Sequence, residues 1–123
     1  MKKFLVMAVF AVGIFLLNFA QASASEVYAY TEARRNYAID HYVVTNTAQY
    51  TDYGLKVQLH AIGVKNDSTN KYWEVGFTTR GDNVYIIWLP STATTLIADA
   101  NSIIEPDYFK ILQIIADELT NRR

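Results

Sequence analysis

Between Val27 and Leu89 the chain presents one segment rich in Val, Ile, Thr, Tyr and Trp after another, separated by short polar turns. Residues of this kind suit a pleated, half-buried surface, so the run reads as successive strands of an antiparallel sheet. Side chains alternate between the two faces of a strand. That period puts Tyr28 and Tyr30 of the first strand, Val27 to Thr31, on one face, with Val27 and Ala29 on the other. In the second strand, Tyr37 to Thr45, Tyr37, Ile39, His41 and Val43 share a face. In the third, Leu55 to Lys65, Leu55, Val57, Leu59 and Ala61 alternate with Lys56, Gln58 and His60. The alternation changes phase at Ile62 and Val64, which predicts a bulge near Ala61 or Gly63.

The polar stretch Asn66 to Asn70 closes a hairpin into Tyr72 to Thr79, where Trp73, Val75 and Phe77 face one way and Glu74, Gly76 and Thr78 the other. Gly81-Asp82 or Asp82-Asn83 turns the chain into the apolar run Val84 to Leu89, which Pro90 ends. Beyond it, Ser91 is placed to cap a short helix over Ala93 to Ala100, with Ala93, Leu96, Ile97 and Ala100 on one side. The closing segment has stronger helical signals. Pro106 suits the first helical position and Asp107 the positive end. Tyr108, Ile111, Leu112, Ile115 and Leu119 recur at helical spacing, and Arg122-Arg123 suits the negative end. The expected fold class is therefore α+β: a small antiparallel sheet of four to five strands packed against a C-terminal amphipathic helix.

Ahead of this domain stand Lys2 and Lys3, the apolar run Phe4 to Leu17, and a small, polar stretch from Asn18 to Ala24. These are the three regions of a secretory signal. Two A-x-A sites overlap, Ala20-Gln21-Ala22 and Ala22-Ser23-Ala24, and cleavage after Ala24 is expected. The division is then a signal peptide over 1–24 and a single domain over 25–123. The apolar run stops at Asn18, short of the roughly 20 residues of a spanning helix, so no membrane attachment is expected after cleavage. With no cysteine in the chain, a lipid-modified cysteine is excluded, and so are disulfides and Cys-based metal sites. The expected location is periplasmic or secreted, and the core alone must hold the domain together.

Without Lys2 and Lys3 the chain carries nine basic and twelve acidic residues, a net charge of −3. Its only basic clusters are Arg34-Arg35 and Arg122-Arg123, which is not the basic stripe that nucleic acid requires. No serine lies in a G-x-S-x-G elbow and the five glycines are scattered singly, so hydrolase and phosphate-loop motifs are missing. His41 and His60 lie on neighbouring strands, and in a favourable register His60 would meet Glu74, a set capable of metal or proton chemistry. Neither histidine has H-x-x-x-H or H-E-x-x-H spacing. No residue is assigned a catalytic or metal role, and no cofactor is expected. Arg80-Gly81-Asp82 falls at a hairpin turn, where Gly and Asp are ordinary turn residues. Asn66-Asp67-Ser68 fits a glycosylation acceptor pattern with no consequence in a bacterial-type export context.

Aromatic content is the unusual feature: all nine tyrosines and both tryptophans lie outside the signal. Tyr28, Tyr30, Tyr42, Tyr72 and Tyr85 exceed what so small a core can bury, and they are the candidate binding residues. The runs Val27-Tyr28-Ala29-Tyr30-Thr31 and His41-Tyr42-Val43-Val44-Thr45, followed by a long strand, resemble a class of small exported bacterial proteins. Members of that class have a signal peptide, an antiparallel sheet and a terminal helix. The resemblance implies the architecture and carries no activity. The expected function is an exported, non-enzymatic binding or accessory module whose partner is a protein, an envelope component or a second copy of the chain. The alternatives are a small hydrolase or metal-dependent enzyme using His41, His60 and Glu74, and a secreted inhibitor projecting the loop Asp67 to Asn70.

Overall fold

A computed structural model describes residues 26–121; the expected signal peptide and Arg122-Arg123 lie outside them. Six strands follow one another in order: β1 (Glu26–Ala33), β2 (Ala38–Tyr50), β3 (Leu55–Lys65), β4 (Asn70–Arg80), β5 (Asn83–Trp88) and β6 (Ala93–Ala98). A helix, α1 (Pro106–Asn121), ends the chain. Every strand pairs antiparallel with its neighbour in sequence, a simple meander. The sheet curves into a half-barrel, and α1 lies in its hollow against β2 and both edge strands, β1 and β6.

The strand count is six, not four to five, because Ala93–Ala98 is a strand where helical spacing predicts a helix. Two physical reasons favour the strand. Thr94 and Thr95 are β-branched and lose rotamer freedom in a helix, and as a strand the segment pairs with β5 from Trp88↔Ala93 to Val84↔Ala98. Ser91, expected as a helix cap, closes the β5–β6 hairpin by donating from its hydroxyl to the Trp88 carbonyl at 2.9 Å.

The expected β3 matches the observed one, and its bulge falls at Val64, between the pairs Ala38↔Lys65 and Ile39↔Gly63. β2 runs on to Tyr50 through an irregular stretch between Val44 and Gln49. There the Thr47 hydroxyl donates to the Val44 carbonyl at 2.6 Å and accepts from the Gln58 amide at 2.9 Å, replacing ladder bonds the irregularity removes. The two-residue turn Gly81-Asp82 joins β4 to β5, with Gly81 at φ 59° supplying the left-handed conformation such a turn needs.

Val43, Leu55, Leu59, Val75, Phe77, Ile86 and Ile97 from the hollow of the sheet meet Phe109, Ile111, Leu112, Ile115 and Leu119 of α1 in one buried cluster. The helix begins as its residues dictate. The Glu105 carbonyl accepts the Phe109 amide at 3.0 Å, Pro106 takes the first helical position, and Asp107 stands at the positive end. No helix among the described residues is long and apolar enough to cross a membrane.

Candidate functional site

At one end of the hollow, beside the first turn of α1, the apolar packing gives way to a cavity of about 360 Å³. Its wall is largely aromatic. Tyr30 comes from β1, His41 from β2, Trp73 from β4, Trp88 from β5 and Tyr108 from α1. Their rings form a closed circuit. Tyr30 stacks on His41 at 4.6 Å, His41 meets Trp73 edge-on at 6.2 Å, and Trp73 stacks with Trp88 at 5.6 Å. Trp88 meets Tyr108 edge-on at 5.1 Å, and Tyr108 returns to Tyr30 edge-on at 6.0 Å.

Tyr30 belongs to this wall only because β1 is bulged. Tyr28 pairs with Tyr42 and Tyr30 with His41, leaving Ala29 as the extra residue. Simple alternation puts Tyr28 and Tyr30 on one face. The bulge turns Tyr30 into the hollow and keeps Tyr28 on the convex side, where its ring meets Tyr42 edge-on at 5.8 Å. Trp88 is held by donation from its indole Nε1 to the Thr95 hydroxyl at 2.9 Å, so β6 positions part of the site.

Charge is unevenly placed around the cavity. Glu32, on β1, faces His41 Nε2 through one carboxylate oxygen at 3.3 Å and Arg34 through the other at 3.3 Å. A polar annex of about 320 Å³ continues from Tyr30, Glu32 and Tyr108 to Arg34 and Asp107. Burial pushes the Tyr30 phenol well above the ordinary tyrosine value, and the charges of Glu32 and Asp107 push the same way. Tyr108 is raised as well, by burial first and then by Glu105, Glu32 and Asp107, with Arg34 acting against them. Both phenols therefore stay protonated and available as donors. Lys71 lines the opposite wall, on β4. His41 Nδ1 and Trp73 Nε1 are buried with no protein partner. An unpaired buried polar group costs about 1–3 kcal/mol, so each nitrogen calls for a partner such as a bound water or a ligand atom.

The convex face carries a second cluster. His60 directs Nδ1 at Glu26 Oε1 and Nε2 at Asn70 Oδ1, both at 2.6 Å, and stacks on the Tyr72 ring at 4.0 Å. The Tyr72 hydroxyl donates to the other Glu26 oxygen at 3.0 Å. Hydrogen bonds to Asn70 and then Glu26 raise the His60 pKa, and the bond from His60 holds the Glu26 carboxyl below its ordinary range.

The five candidate tyrosines do not form one surface. Tyr28, Tyr42 and Tyr72 lie together on the convex side, and Tyr85 lies further along it beneath Arg80, whose guanidinium sits 5.5 Å from the ring centre. Tyr30 faces the hollow. Nor do His41, His60 and Glu74 converge. His41 pairs with Ala61 and His60 with Tyr42, so the histidines are on opposite faces, while Glu74 stands across from Gln58 and pairs with Lys56 at 3.9 Å. Among the described residues no group of three such side chains could hold a metal ion.

Sequence reading missed Trp73, Trp88 and Tyr108 as site residues because each occupied a core-facing position. A usable signal was present: both tryptophans fall on the inward face of neighbouring strands, beside His41 and Lys71 in the same face, which is too polar for core. Compared with known proteins, the chain matches no family model, no curated protein and no solved structure.

Proposed function

We propose that the protein is an exported, non-enzymatic binding protein that takes a small organic ligand in the aromatic cavity between the sheet and the start of α1. The observation that carries this reading is the cavity itself. At about 360 Å³ it lies in the size range of small-molecule sites, and it combines an aromatic wall with a few convergent polar groups, as such sites do. Export rests on the N-terminal charge, apolar run and A-x-A sites, which make Ser25 the first residue of the working chain.

The test uses the chain beginning at Ser25. Its melting temperature is followed against a panel of small organic molecules, and the protein recovered from the exported fraction is weighed by native mass spectrometry. At least one compound should raise the melting temperature or appear as a one-to-one adduct, and Trp88→Leu, checked for folding by circular dichroism, should abolish the effect. A folded Trp88→Leu protein that binds everything the parent binds overturns the assignment of the site. Native protein still carrying Met1 to Ala24 overturns export.

A further inference from the structure

The orientation of the rings restricts what the cavity can hold. The Tyr30 and His41 planes lie within 15° of each other, and those of Trp73 and Trp88 within 9°. His41 and Trp73 are 77° apart, while Tyr108 stands at 79° to Tyr30 and 82° to Trp88. The five rings thus adopt three mutually near-perpendicular orientations, like the faces meeting at the corner of a box. Neither parallel pair leaves a slot, since their centres are only 4.6 and 5.6 Å apart and a flat ring needs about twice the ordinary stacking distance. A compact, three-dimensional group can touch several of these rings at once.

We propose that the cavity receives the alkylated ammonium head of an organic cation, with Tyr30, Trp73, Trp88 and Tyr108 as its aromatic cage and Glu32 as its counter-charge. This rests on the binding-protein reading and names the ligand class. All five rings border the one cavity with successive centres 4.6 to 6.2 Å apart, so a cationic head seated there can meet the free face of one ring of each stacked pair and that of Tyr108, and a cation over an aromatic face is attracted within about 6 Å of the ring centre. Charge complementarity agrees. Glu32 and Asp107 border the side where Tyr30 and Tyr108 meet, and their charges contribute to raising both phenols. Of the two basic side chains nearby, Arg34 is 60% exposed and bound to the outer oxygen of Glu32. Lys71 lines the same cavity from β4, three strands from Glu32, so a cationic head is favoured at the Glu32 side of the cavity.

Trp73 and Trp88 are the chain's two tryptophans, so intrinsic fluorescence reports on the site directly. Choline and its neutral carbon isostere, 3,3-dimethylbutan-1-ol, are titrated into the chain beginning at Ser25, each to about 10 mM. Choline should perturb the fluorescence and raise the melting temperature, with an affinity at least about tenfold above that of the alcohol. Glu32→Gln should bring the two affinities together, and Tyr108→Leu should weaken choline more than the alcohol, with circular dichroism confirming that both variants fold. Equal binding of choline and the alcohol overturns the cation assignment while leaving the cavity a binding site. Binding of neither, in a protein that responds to other panel compounds through Trp88, also overturns it. A panel to which the folded protein never responds removes the binding-protein reading and the cation with it.

Discussion

His60 presents both ring nitrogens to oxygen atoms, and that arrangement makes stability depend on pH in a direction that can be worked out. Its pKa is raised above the ordinary 6.5, so its contribution is complete below that value and is lost as pH rises through the folded value. Glu26 is lowered from 4.5, so its contribution is complete above that value and is lost as pH falls through the folded one. Both are in force together between pH 4.5 and 6.5. The fall in melting temperature caused by His60→Gln should therefore be largest in that window, a few degrees for a domain of this size, and should shrink on either side. Melting curves of parent and variant across pH 3 to 9 check this; a difference constant in pH would mean that the contacts of His60 are purely steric. The partnership could not be read from sequence, since Glu26 and His60 meet only through the registers of three strands. Tyr30 shows the same limit more sharply. Period-two alternation assigned its face, and one inserted residue, Ala29, reversed it, because nothing in the run Val-Tyr-Ala-Tyr-Thr marks which residue will bulge.

Among the elements, β3, β4 and α1 were legible because burial on one side imposed a clean period. In α1 that period predicts a steep contrast between neighbours. Leu112 is 2% exposed, and Leu112→Ala should cost about 2–5 kcal/mol, whereas Gln113→Ala, on the solvent side, should stay within about 0.5 kcal/mol. Urea unfolding of the two variants measures the contrast, and comparable losses would mean that the helix is not docked as described. β6 escapes a reading of the sequence for a physical reason. Six residues with apolar groups at 93, 96 and 97 fit a helical stripe as well as an edge strand, and only the pairing with β5, which no local pattern shows, separates them. Thr95 gives that choice a testable consequence. Thr95→Val keeps a β-branched side chain but removes the acceptor of Trp88 Nε1, and should cost about 1 kcal/mol with a shift in tryptophan emission. Unchanged emission would show that β6 does not position Trp88.

For the molecule as a whole, the decisive fact is that one helix fills a half-barrel that has no disulfide to hold it. Phe109, Ile111, Leu112, Ile115 and Leu119 are each at most 2% exposed, and the sheet residues they cover, among them Phe77, Leu55 and Ile86, are fully buried. Burying a large apolar side chain contributes about 1.5–3 kcal/mol. Five of them supply about as much as the whole net stability of a typical domain, roughly 5–15 kcal/mol. A chain ending at Glu105 should therefore retain no cooperative thermal transition and should bind a hydrophobic dye, even though all six strands are present. Calorimetry and dye fluorescence test this, and a sharp melt in the truncated chain would show that the meander is stable unaided. The same helix also completes the cavity. Tyr108 lies one residue before Phe109, so the turn that anchors α1 in the core sets the position of a ring in the ligand cage. Loosening that anchor by Phe109→Ala should thus lower the affinity of any ligand of the cavity even where the variant stays folded. Such a loss links the packing of the core to the binding surface through a single helical turn.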